Sequence, residues 1–195
     1  MFIREIYIKR RRAFLDAIRD RGITSGKVLL LANENCPRNY PENYYPFRQD
    51  SSWLYLIGLN IPSLACTLDI ESGENCLYAD EPGLEEIIWT GVLPSPSELA
   101  YSAGIDKVLP TSVLSNTVGR ALKQREPVFI LPPYRDRQIA RFLDLFAVSV
   151  SNLEELIYRH IDPRIILALV SVREIKEPEE LSELERAVSI TKIIH

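Results

Sequence analysis

Histidine and cysteine are scarce in this 195-residue chain, which holds two of the first and three of the second. Cys36, Cys66 and Cys76 are odd in number and lack CxxC spacing, which disfavours a disulfide framework and a zinc knuckle and points to a reducing cytoplasm. A metal centre needs several His, Cys or carboxylate ligands converging on one point, and His160 and His195 stand far apart in sequence. No GxSxG segment presents a serine to either histidine, so a hydrolase triad has no support. The eight glycines nowhere form GxGxxG, leaving a dinucleotide fold without its fingerprint. Gly22-Ile23-Thr24-Ser25-Gly26-Lys27 approaches a phosphate loop. It is one residue short, puts Val28 where a magnesium-binding hydroxyl belongs and precedes a strand, so it reads as a helix stop and turn. Long apolar runs are missing too. The longest, near Ile165 to Val170, is far below the roughly 18 residues of a membrane helix, and MFIREIYIKRRR is not built like a secretory leader, so the expectation is a soluble protein. A net charge of −4 is the wrong sign for a nucleic-acid partner.

What is present is ordinary for a globular protein: 46% hydrophobic and 26% charged residues. The length predicts one α/β-sized domain plus a partial extra segment. Tyr7, Phe14, Leu15 and Ile18 predict a helix from about Ile3 to Asp20 with Gly22 as its stop. Strands are expected at Val28–Ala32, Trp53–Ile57 and Leu64–Ile70, the last turning through Ser72-Gly73 into Asn75–Ala79 as a hairpin. Ser95-Pro96-Ser97-Glu98 carries a capping box and Gly104 a stop, which predicts a short helix. Val108-Leu109, a helix over about 112–124, Val128–Leu131, a helix over about 136–146 and Val148–Val150 continue the alternation. Ser151 to Glu154 repeats the capping-box spacing and opens another helix. The fold class is α/β, with a mixed β-sheet flanked by helices on both faces. From Pro178, Leu181, Leu184, Val188 and Ile194 recur at helical spacing to the end of the chain, so the last segment reads as the cut first helix of another domain. The divisions are residues 1–172 as a domain, 173–177 as a charged linker and 178–195 as that helix.

Chemistry-bearing clusters are few. Glu85-Glu86 and Glu154-Glu155 read as solvated surface acids and His160 as a structural residue at a helix end. Lys9-Arg10-Arg11-Arg12 reads as a solvated or subunit-facing helix surface. A long segment, Asn33 to Gln49, carries three prolines and three tyrosines, and loops of this length are often functional. For Tyr44, Tyr45, Phe47 and Arg48 two readings stay open: a core plug, or an interface or substrate rim with Tyr and Arg as anchors.

Phe47-Arg48-Gln49-Asp50-Ser51-Ser52-Trp53-Leu54-Tyr55-Leu56-Ile57-Gly58 resembles the FRQ-(D/N)-S-x-(F/W)-x-Y-x-x-G segment of the N-terminal domain of aminopeptidase P, the Xaa-Pro aminopeptidases. Glu86-Ile87-Ile88-Trp89-Thr90-Gly91-Val92-Leu93 is similar to that family's E-x-x-W-x-G stretch, and Tyr7, Arg11 and Arg12 fit its first helix. Arg173-Glu174-Ile175-Lys176-Glu177-Pro178-Glu179-Glu180 resembles the linker that opens the catalytic "pita-bread" domain. The resemblance implies a creatinase/prolidase-type N-terminal domain, non-catalytic in itself, that supports dimers or tetramers and limits access of proline-containing peptides. It implies that the chain's main partner is its own C-terminal catalytic domain, where two divalent ions, commonly manganese, would be held, with no metal ligand in this fragment. Trp89 matches a tryptophan that in some relatives reaches a neighbouring subunit's cleft. Thr90 and Val92 depart from an arginine-rich version of the segment. Prolidase, a creatinase-like hydrolase and a non-catalytic interaction module remain alternatives.

Overall fold

The computed structural model describes residues 2–41 and 43–194, and of Glu86 only the backbone. The Glu86 side chain, which opens the E-x-x-W segment, and His195 lie outside the described residues.

The first helix, α1 (Arg4–Asp20), buries Tyr7, Phe14, Leu15 and Ile18 as its spacing predicts. It also buries Arg10 and Arg11. The basic run is therefore not a uniformly solvated face. Arg11 donates to the carbonyls of Leu56 (2.9 Å) and Gly104 (2.6 Å), where two later helices end. A guanidinium is tolerated there because its N–H groups supply donors to helix-end carbonyls that otherwise lack them.

Strand β1 (Lys27–Leu31) is apolar on both sides, as a central strand should be. Val28 and Leu30 face a core built with α1, while Leu29 and Leu31 face a second core on the other side of the sheet. The expected strand at Trp53–Ile57 is a helix, α2 (Ser51–Leu56). Asp50 caps it by accepting from the Trp53 N–H at 2.8 Å. A short apolar run looks the same at either period, and here the cap decides.

Strands β2 (Ala65–Asp69) and β3 (Asn75–Tyr78) form the expected hairpin, with Gly73 at φ +76° in its turn. Two short strands, β4 (Lys107–Leu109) and β5 (Val128–Ile130), complete a sheet of order β4-β3-β2-β1-β5. The β1–β2 and β2–β3 pairs are antiparallel, and β1–β5 and β3–β4 are parallel. The antiparallel portion is thus made by β1, β2 and β3, without the 53–57 segment.

Helix α3 (Leu84–Thr90) follows β3, and α4 (Pro96–Ala103) has the predicted capping box at Ser95 and Glu98 with Gly104 left-handed at its end. Helices α5 (Leu114–Lys123) and α6 (Asp136–Phe146) pack on the second core. No strand forms at Val148–Val150: Ala147 closes α6 in the left-handed region, and Val150, 78% exposed, enters a single 3-10 turn. The second capping box does not form either. Ser151 bonds Ser149 and Asn152 instead, and α7 (Leu153–His160) begins two residues after it. The run around Ile165–Val170 is a helix, α8 (Pro163–Arg173), opened by Asp162 and Pro163. It buries Ile165, Ala168 and Leu169 in the α1 core. After residues 174–177 comes α9 (Pro178–Ile194), none of whose described residues is buried.

Candidate functional site

The long connection between β1 and α2 is split by the structure into an inner and an outer set. Gln49 is buried, and its Oε1 accepts from the backbone N–H groups of Asn33 (2.7 Å) and Asp50 (2.9 Å), while its amide donates to the Ile61 carbonyl at 2.9 Å. The Trp53 indole donates to the Leu59 carbonyl at 2.8 Å. Gln49, Asp50 and Trp53 therefore fix the loop, and their role in the FRQDSSW segment is architectural. Tyr44, Tyr45 and Arg48 are exposed and Phe47 is half-buried. Arg38 lies over the Tyr45 ring at 5.0 Å, which keeps an aromatic and a cation presented together on the outside.

Trp89 stands elsewhere, near the end of α3, with 82% of its surface exposed. Leu84 and Ile88 on the same helix, and Val92 just past its Gly91 cap, are 71% exposed or more, so α3 and the residues that follow it carry unburied apolar side chains. Among the described residues no hydrogen bond or ring contact joins Trp89 to the aromatic loop. An exposed apolar group of this kind, with a tryptophan in it, is the usual form of a contact anchor.

Sequence reasoning missed a cluster where α1, α2 and the 174–177 linker meet. Arg10 stacks on the Tyr55 ring at 4.2 Å and donates to Glu177 at 2.8 Å; Lys9 pairs with Glu177 at 2.9 Å. Tyr55 in turn donates to the Val172 carbonyl, and Arg173 bonds Ser52 at 3.2 Å. No local signal marks it: the 53–57 run reads equally well as a strand, and Arg10 and Glu177 lie 167 positions apart in sequence.

Among the described residues no three His, Cys, Asp or Glu side chains gather where they could hold a metal ion. Cys66 is fully buried, which pushes its thiol up to about 12, and burial also raises Cys76; neither is a ready nucleophile. Burial likewise leads the lowering of His160, partly opposed by its 2.8 Å bond to the Val128 carbonyl. No helix among the described residues is long and apolar enough to cross a membrane.

Residues 7–130 match the family described as aminopeptidase P, N-terminal domain. The chain belongs to that family. A Coccidioides posadasii protein described as a probable Xaa-Pro aminopeptidase is 27% identical over 179 residues, covering 91% of this chain and 34% of the relative. A Botryotinia fuckeliana protein of the same description is 27% identical over 150 residues, 77% of this chain and 30% of its own length. Among solved structures, aminopeptidase P from E. coli with the inhibitor Pro-Leu superimposes with a TM-score of 0.72 at 22% identity, covering 98% of this chain and 43% of that one. Proline aminopeptidase P II from Yersinia pestis gives 0.71 at 21% identity, covering 97% and 43%. The mixed five-stranded sheet flanked by helices is thus the fold of the aminopeptidase P N-terminal domain. The chain spans about a third of the length of these curated relatives.

Proposed function

We propose that this chain is the non-catalytic N-terminal domain of a metal-dependent Xaa-Pro aminopeptidase, which removes the N-terminal residue preceding proline. The observation that carries the reading is the match of residues 7–130 to the aminopeptidase P N-terminal domain, in a chain that covers only about a third of its curated relatives. In such a protein the chemistry falls to a C-terminal catalytic domain, where two divalent ions, manganese by the family resemblance, would activate water against the peptide carbonyl. Such ions would have no ligand set among the described residues here. The Xaa-Pro bond is a tertiary amide whose proline nitrogen carries no hydrogen, so its recognition relies on ring shape and on the free amino terminus.

The contribution of this domain is assembly and access. Trp89 and the exposed apolar side chains of α3 supply a contact anchor for a second copy, in a dimer or tetramer, with Trp89 placed at the neighbour's cleft. Tyr44, Tyr45, Phe47 and Arg48 form a second contact rim. The three free cysteines favour a reducing cytoplasm as its location. The test is peptide hydrolysis by this domain joined to its catalytic domain. Manganese-dependent release of the residue before proline is expected, and Trp89→Ala should lower kcat/KM while leaving the melting temperature in place. Failure to cleave Xaa-Pro bonds would overturn the assignment.

A further inference from the structure

We draw no further inference here: the strongest candidate, the polar cavity of about 410 Å³ between α5 and the sheet that Arg120 lines together with Lys27, Lys107, Asp69, Glu74 and Glu126, carries nothing, because the two lysines already hold all three acids in ion pairs and nothing in the structure points to a ligand for Arg120.

Discussion

Arg10 and Glu177, 167 positions apart in the chain, meet at 2.8 Å, with the arginine side chain only 2% exposed. Glu180 approaches the same guanidinium at 3.6 Å and Lys9 completes the cluster. This is a latch between α1 and the start of α9, and it carries the holding of a helix that buries none of its own described side chains.

Glu177→Gln should therefore release the first turns of α9. Amide exchange from Glu179 to Leu184 should quicken while α1 and the sheet stay protected, at a cost of about 1.5–3 kcal/mol for the lost charged hydrogen bonds. Burial pushes the Glu177 carboxyl up, but the bonds and charges of Lys9 and Arg10 outweigh it and hold the group below the usual carboxylate value. A group lowered in the fold adds stability that is complete above its unfolded value, about 4.3, and is lost as pH falls through the folded value. Acid should thus free α9 in the parent and change little in the variant; unaltered protection in Glu177→Gln would refute the latch.

His160 gives a separate pH window. Its ring lies 4.1 Å from that of Phe146, and burial lowers its pKa. The unfolded chain then takes up the proton first, so stability should decline as pH drops below about 6.5 and level off beneath the folded value. His160→Phe should flatten the melting temperature between roughly pH 5 and 7. An equal slope in both proteins would remove His160 from the account.

The two tryptophans should separate cleanly. Trp53 is 1% exposed and bonded through its indole, so Trp53→Ala should cost about 3–5 kcal/mol. Trp89, on the outside of α3, should cost less than about 0.5 kcal/mol in the isolated chain. Thermal melts decide, and a large loss at Trp89 would place it in the core.

The sequence was readable where side-chain identity is decisive. Ser95 with Glu98 formed its capping box and Ser72-Gly73 its hairpin turn, because each motif carries its own hydrogen-bond partners. At Ser151 the same spacing failed, since neighbouring Ser149 and Asn152 took the hydroxyl. At Trp53–Ile57 the run is apolar at either period, and it is the Asp50 cap, accepting from the Trp53 N–H, that makes it a helix where a strand is expected. Arg10 and Arg11 looked solvated for a simple reason: their partners, Glu177, Leu56 and Gly104, are supplied by distant segments that only the fold brings near. Of the candidate site, the sequence leaves Tyr44 and Tyr45 open between a core plug and an outer rim; the structure exposes both, because Gln49 and Trp53 take the inner positions of the loop, and it exposes Trp89 as well.

The proposed function makes this domain part of a metallopeptidase whose metal it would not itself hold. Titrating manganese into the 195-residue chain by calorimetry, with the same sample assayed on an Xaa-Pro peptide, tests it most directly. The account predicts no stoichiometric binding at micromolar manganese and no release of the residue before proline. Tight binding accompanied by turnover would contradict it.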